Sequence, residues 1–396
     1  MPEVHRLVIV GAGLAGLRAA QAARSAGFEG DLVVVGNEPH LPYNRPPLSK
    51  ELLHGAQTVE QLAFPLGDLE ADWRLGTTAT DLDRSAHTVA LTSGEELSYD
   101  RLIVATGCRA RYWRGTGHTL AGVHTLRSLD DSVELQKALE PGRRLAIIGA
   151  GFIGCEVAAS ARKREVEVTL VDIAPHPMLP LGPLLGERWA GLHAENGVEL
   201  RLGVGIEALH GKAGRVTQVE LLGGDRIQVD AVLLALGSEL NNEWLTDSGL
   251  ELDPAVVTDE TLTSISDHDI LAAGDIAACP APLADGQATR IEHWTTAAEH
   301  GRLAGQNALL ELSERRPHTT PPYFWSDQHG IKIQVIGLPQ LAQETQILEQ
   351  DGERLVAGCI RDGRVVGVVG VNSARALVSY RQLLAQGAPT LAEVST

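Results

Sequence analysis

Residues 7–10 are apolar and β-branched, run into a glycine-rich turn, and lead into an alanine-rich stretch with its small apolar residues at helical spacing. Gly27 stops that stretch, and a second β-branched run follows at 32–35. A continuous apolar run, then helical spacing, then a second run predicts strand, helix, strand: a βαβ unit. Residues 143–172 repeat the pattern, with a strand, a glycine turn, a helix and a β-branched strand closed by Asp172. Between the copies, short alternating runs from about 73 to 104 predict hairpin strands and then a buried strand ending at Ala105, Thr106 and Gly107. After the second copy, 229–239 predicts another buried strand ending in glycine, and 261–275 a strand ending at Gly274 and Asp275. A helix is predicted over 295–312; from 319 onward, three strand-like stretches and a closing helix over 373–386 predict a small α+β unit. Residues 39–50 are too proline-dense for helix or central strand and predict a rigid loop.

Both glycine turns read GxGxxG, at Gly11, Gly13 and Gly16 and again at Gly149, Gly151 and Gly154. In each, the first glycine makes the turn, the second lets backbone approach a diphosphate, and the third lets helix pack closely on strand. The helix N-terminus then faces the anion with unpaired N–H groups and partial positive charge. Glu38, closing the second strand of the first copy, is placed to hold a ribose. Arg45 and Lys50 on the stiff loop are placed to bring positive charge to a cofactor, and Asp275 to meet a ribityl or phosphate group or to cap a helix. The helix after Trp294 would turn its N-terminal dipole toward negative charge on a reduced ring.

The chain has 396 residues, enough for two or three domains, and a hydrophobic share of 44 % with no apolar run near membrane-spanning length. The N-terminus enters a strand almost at once, leaving no room for a secretory signal, so the cytoplasm is expected. Cys108, Cys155, Cys279 and Cys359 stand alone, with no CxxC, and read as small buried hydrophobes rather than disulfide, cluster or metal ligands. A net charge of −18 argues against nucleic acid or an anionic membrane as partner. Residues 11–60 contain no cysteine, which removes the thiol nucleophile a disulfide or peroxide reductase needs beside its first cofactor.

With the order GxGxxG, Ala105-Thr106-Gly107, GxGxxG and Ala272-Ala273-Gly274-Asp275, the chain resembles the glutathione-reductase-type flavoproteins over its whole length. Arg45-Pro-Pro-Leu-Ser-Lys50 and Phe324-Trp-Ser-Asp-Gln328 resemble the oxygenase-coupled ferredoxin reductases within that group. The resemblance implies an α/β fold with two Rossmann-like dinucleotide-binding domains, an FAD domain (1–115 and 245–318) interrupted by an NAD domain (116–244), and a small C-terminal α+β domain (319–396). It implies FAD contacts at Ala15, Lys50, Ala79, Arg127, Asp275 and Trp294, and NAD contacts at Gly149, Gly151, Gly154, Glu156 and Asp172. The cofactor-binding set also takes in Asn37, Glu38, Arg45, Thr106, Gly107, Ile153, Gly237, Glu292, His293 and Trp325. Lys50 by the flavin ring and Glu156 by the nicotinamide carboxamide are the implied catalytic residues, with no metal.

The activity implied is hydride transfer from NADH to FAD, then single-electron delivery to a two-iron two-sulfur ferredoxin serving a terminal oxygenase. Two other readings use the same motifs: a rubredoxin reductase, and a signalling flavoprotein acting through a partner in the manner of apoptosis-inducing factors. Ferredoxins of this type are acidic, so a chain at −18 needs a local basic patch, with Arg290, Arg302, Arg315, Arg316 and Lys332 as candidates and Arg302 foremost. Three places depart from the family pattern: Asn37 replaces an acid, Leu240-Asn241 a proline, and Trp113 and Arg114, whose roles the sequence leaves open, further prolines.

Overall fold

The computed structural model describes residues 4–394. Strand Arg6–Val10 pairs in parallel with Asp31–Gly36, and helix α1 (Leu14–Ser25) crosses between them, as the spacing predicts. These strands sit in a six-stranded sheet ordered 263–264, 267–272, 101–104, 6–10, 31–36, 72–75. The chain therefore leaves this sheet after 104 and returns to it at 263, with the second βαβ copy lying between.

That copy builds a separate five-stranded parallel sheet ordered 198–202, 167–172, 144–148, 231–234, 123–124. It is flanked by helices α2 (Leu129–Ala138), α3 (Phe152–Lys163) and α4 (Pro183–Glu195). A short antiparallel pair, Cys108–Ala110 with Ser238–Leu240, spans the entry and exit of the insertion. Helix α5 (Trp294–Asn307) returns to pack on α1, and the last segment folds as a five-stranded antiparallel sheet covered by helix α6 (Leu377–Leu384).

Three expectations change. Strand Asp72–Leu75 pairs in parallel with Asp31–Gly36 rather than in a hairpin, because alternation reports a half-buried strand but not its partner's direction; the hairpins begin at Ala79. Helix α5 ends at Asn307 rather than 312, where the buried Asn307 side chain donates to the Thr261 and Arg316 carbonyls and accepts from the Arg316 N–H. The proline-rich loop contains a short 3-10 turn at Pro46–Ser49. Trp113, unassigned from sequence, packs on the apolar cluster of Leu209, Val216 and Val219, while Arg114 is exposed.

The closeness of α1 and α5 has a sequence cause. A Cβ on Gly301 would lie 2.2 Å from the Ala15 carbonyl oxygen, and one on Gly305 2.2 Å from that of Ala19. Two glycines four apart thus let the helix backbones nearly touch. This fixes Trp294, at the start of α5, relative to the first glycine turn.

Candidate functional site

The two glycine turns are built alike. Gly11 has φ +127° and its Cβ position lies 2.0 Å from the Ala105 carbonyl oxygen; Gly149 has φ +111° and 2.2 Å to that of Ala235. At Gly16 and Gly154 a Cβ would fall 1.8 and 1.9 Å from the carbonyl of the turn's own first glycine. Gly13 and Gly151 differ, with nothing within 4 Å of the Cβ position. Each middle glycine therefore opens onto clear space at a helix N-terminus. Neither N-cap has a side-chain hydrogen bond and neither first turn has an acid, so the N–H groups there are available to an anion. A dinucleotide diphosphate fits both turns.

Between them lies a buried polar junction. The Glu156 carboxylate, on α3 and 3 % exposed, forms an ion pair with Lys50 Nζ at 2.7 Å and accepts from Ser49 Oγ at 2.5 Å and Ser326 Oγ at 2.6 Å. Lys50 Nζ also donates to the Pro46 carbonyl at 3.2 Å. The loop bearing Ser49 and Lys50 is pinned from the inserted unit: Ser132 Oγ donates to the Leu48 carbonyl, Ser160 Oγ to that of Ser49, and Gln136 Nε2 to that of Leu52. From Ser326 the network runs through Gln328 to His193 and on to His329. Sequence reading found Lys50 and Glu156 but not the two serines, whose only advance signal was position inside the two family-like motifs.

A second polar group lies at the returning strand. Asp275 Oδ2 accepts from Arg127 Nη2 at 2.7 Å and from the Cys108 thiol at 3.1 Å. Asp275 sits in the 3-10 turn Gly274–Ile276 and caps no helix, so the capping expectation is not met. Burial first, and the Asp275 charge second, push the Cys108 thiol well above its ordinary value. Glu292 accepts from Ser238 Oγ at 2.7 Å and pairs with Arg290. Thr106 and Gly107 are clasped to Asn241: Thr106 Oγ1 donates to its carbonyl, Asn241 Nδ2 to that of Thr106, and the Asn241 N–H to that of Gly107. Asn241 is thus tied to the Thr106–Gly107 turn, with Leu240 buried beside it.

Aromatic rings line the start of α5. Trp294 Nε1 donates to Asn44 Oδ1 at 2.9 Å, and its ring meets Trp325 edge-on at 5.9 Å. His293 stacks obliquely on Phe324 at 4.4 Å, and burial lowers its pKa to about 4, so the α5 dipole acts beside a neutral imidazole.

Other expected residues fall as follows. Ala79 is buried, and Asn37 and Ile153 are exposed. Gly237 takes φ +87° with open space at its Cβ position. Glu38 spends both oxygens on neighbours, accepting from Tyr43 and from Arg45 at 2.5 Å each, so the Arg45 charge is balanced locally. Asp172 Oδ2 accepts from the Ala150 N–H at 2.5 Å and Oδ1 from the Ala174 N–H at 2.8 Å, binding the strand end to the second glycine turn. Of the basic residues, Arg315 is buried and donates to Thr263, which removes it from any docking surface. It lies in the connector after α5 with its guanidinium turned to the buried Thr263, a placement that the charge pattern did not reveal. Arg290 pairs with Glu292 and Lys332 with Asp327, whereas Arg302 and Arg316 are exposed.

All four cysteines are buried and unbridged. Burial raises Cys279 to about 11 and Cys359 to about 12, and raises Cys155 further still. None is an activated thiolate. Among the described residues, no helix is long and apolar enough to cross a membrane.

Comparison with known proteins agrees with this geometry. The sequence matches the pyridine nucleotide-disulphide oxidoreductase family over residues 5–301 and the reductase C-terminal family over 323–395. It is 37 % identical to rhodocoxin reductase of Rhodococcus erythropolis over 98 % of this chain and 91 % of the relative. It is 32 % identical to the ferredoxin–NAD(+) reductase component of the 3-phenylpropionate/cinnamic acid dioxygenase of Photorhabdus laumondii, over 98 % of each chain. Its fold superposes on the reductase of the covalent putidaredoxin reductase–putidaredoxin complex with a TM-score of 0.92 at 30 % identity, covering 98 % of this chain and 95 % of that one. With twin glycine turns, a buried junction between them and a family match through most of its length, the chain belongs to the pyridine nucleotide-disulphide oxidoreductases.

Proposed function

We propose that the protein is an NADH-dependent ferredoxin reductase, taking hydride from NADH and delivering electrons singly to a two-iron two-sulfur ferredoxin that serves an oxygenase. The observation that carries this reading is the junction between the glycine turns: it holds a Lys50–Glu156 ion pair and no reactive thiol. A disulfide reductase of this family would need a thiolate there. The names of the relatives, rhodocoxin reductase and a ferredoxin–NAD(+) reductase component, point the same way.

The chain binds FAD and NAD(H), as its family membership implies. FAD, when bound, supplies a ring that accepts a hydride and releases electrons one at a time. The remaining work falls to side chains. FAD would be held by Gly11, Gly13, Ala15, Gly16, Glu38, Ala79, Thr106, Arg127, Asp275 and Trp294, and NAD by Gly149, Gly151, Gly154, Glu156 and Asp172. Lys50 would bring its ammonium to the ring, where it favours negative charge, and Glu156, which fixes that ammonium, would accept from the carboxamide. Trp294 and Trp325, in edge-on contact, would help to exclude water there. The FAD-binding unit takes residues 1–115 and 245–318, the NAD unit 116–244, and the third unit 319–396. The unbridged cysteines support a cytoplasmic location.

The test is direct. Purified protein should be yellow with about one FAD per chain, and should reduce a two-iron two-sulfur ferredoxin with NADH while leaving disulfides and peroxides untouched. Failure to bind added FAD, or turnover of disulfides in preference to ferredoxin, refutes the assignment; flavin binding without ferredoxin turnover would favour the signalling reading.

A further inference from the structure

We propose that Cys279, His300 and His318 form a binding site for a divalent cation of the zinc class, one that fastens helix α5 to the strand and the connector beside it. The sequence alone gave no reason to expect a metal, because the three residues lie on separate elements: Cys279 on strand Ala277–Pro280, His300 in α5, and His318 in the connector before strand Tyr323–Gln328. Folding brings one ligand atom from each within 4.8 Å of the others. Cys279 Sγ stands 3.9 Å from His300 Nε2, and the two imidazoles meet edge-on at 4.6 Å.

These separations suit a metal. Zinc–sulfur and zinc–nitrogen bonds of about 2.3 and 2.0–2.1 Å put ligand atoms roughly 3.5 Å apart around a tetrahedral ion. A contraction of a few tenths of an ångström closes the sulfur–nitrogen pair at 3.9 Å, and a pair as far apart as 4.8 Å closes by about 1.3 Å through side-chain rotation. One thiolate and two imidazoles are a borderline-soft donor set, which selects zinc over the oxygen-seeking magnesium and calcium.

A second observation points to a ligand. The His300 nitrogen that faces the Cys279 sulfur is Nε2, His300 is only 1 % exposed, and among the described residues the buried His318 Nε2 has no hydrogen-bond partner. A buried ring nitrogen left unpaired is costly unless something occupies the space it faces. Burial lowers the His300 pKa to about 3, which keeps its ring neutral with a lone pair to give. The Cys279 thiol is protonated until a cation arrives and then loses its proton to solvent as the sulfur–metal bond forms.

The outer residues are also in place. Glu299 Oε2 lies 3.6 Å from His318 Nε2, and its other oxygen lies 3.5 Å from Arg381, so this carboxylate adds negative charge beside a cation held there. Asp259, whose charge acts on Cys279, already accepts from Thr261 and Thr263 through Oδ1 and so supplies charge rather than a bond to the metal. The ion would act as a brace. α5 carries Trp294 at one end and packs Gly301 and Gly305 on α1, so fixing His300 fixes that register.

The experiment uses the full-length flavin-loaded protein, stripped with a chelator, back-titrated with zinc chloride and analysed by elemental mass spectrometry. About one tightly held zinc per chain is expected, together with a rise in melting temperature on adding zinc. Cobalt(II) chloride should give ligand-field bands to the red of flavin absorption. Cys279→Ser should abolish both; His318→Gln, at the less buried connector, gives an independent variant should the first fail to fold. Wild-type protein that takes up no zinc, or variants that bind it as well as wild type, would overturn the proposal. Metal content is read without reference to ferredoxin turnover, so this result and the proposed activity stand or fall separately.

Discussion

The Lys50–Glu156 pair offers the sharpest energetic test. The carboxylate is buried with two hydroxyl donors and the Lys50 ammonium around it, and among the described residues the ammonium has only the Pro46 carbonyl as a second acceptor. At the observed 2.7 Å and an effective dielectric near 20, gross attraction is about 6 kcal/mol, against which each ion has given up several kcal/mol of hydration. Glu156→Gln keeps the volume but strands the ammonium, and should cost about 3–5 kcal/mol. Lys50→Met should cost less, on the order of 2 kcal/mol, because the carboxylate keeps two hydroxyl donors. The double variant removes both charges and should cost less than the sum of the singles by about 2–3 kcal/mol. Urea unfolding followed by tryptophan fluorescence and circular dichroism reads these values where the transitions coincide, with each variant's FAD affinity measured so that linkage can be subtracted. Single effects that add within about 0.5 kcal/mol would mean the two groups are not coupled.

NADH should be preferred to NADPH on the order of a hundredfold, since a phosphate about 5 Å from the Asp172 carboxylate costs roughly 3 kcal/mol per unit charge; equal kcat/KM for the two nucleotides would refute this, and Asp172→Asn should narrow the gap. Stability should fall as pH drops from about 6.5 toward 4, because burial and then the neighbouring His329 hold His193 at about 4 while its unfolded form takes a proton near 6.5. His193→Asn should flatten that decline by up to about 1.4 kcal/mol per pH unit, and an unchanged slope would count against it. Arg302→Glu should raise the apparent KM for ferredoxin severalfold at low ionic strength, with the difference shrinking in salt and ferricyanide reduction unaltered; equal losses with both acceptors would move the docking surface elsewhere.

Local periodicity made both βαβ units legible because strand, turn and helix are each encoded within a few neighbouring residues. The glycine roles were legible for the same reason: Gly11 and Gly149 need positive φ, and Gly16 and Gly154 would each drive a Cβ into the turn behind. Sequence could not show what depends on distant segments. Strand 72–75 looks like any alternating strand until the sheet places its partner. Gly301 and Gly305 read as weak spots in a helix until α1 lies against them. Ser49 and Ser326 converge on one carboxylate from opposite ends of the chain, and no spacing rule links them. Arg315 counted as surface charge because arginines usually are, but here its guanidinium reaches a buried threonine.

Charge near the site is largely cancelled within the protein. Arg45 pairs with Glu38, Lys50 with Glu156, Arg127 with Asp275 and Arg290 with Glu292. The side chains expected to attract an anionic cofactor are thus mostly spoken for, and attraction for a diphosphate must come from what remains: the N–H groups of two helix starts opening at Gly13 and Gly151. Such groups act over a turn or less, at close range and out of bulk solvent, so ionic strength changes them little. A partner protein meets a different field. It approaches a chain of net charge −18, whose exposed cations near α5 include Arg302 and Arg316, across a distance comparable with the screening length. Cofactor capture is therefore a property of backbone shape and is nearly independent of salt, whereas partner encounter is governed by a few surface charges working against the whole molecule and depends on salt strongly.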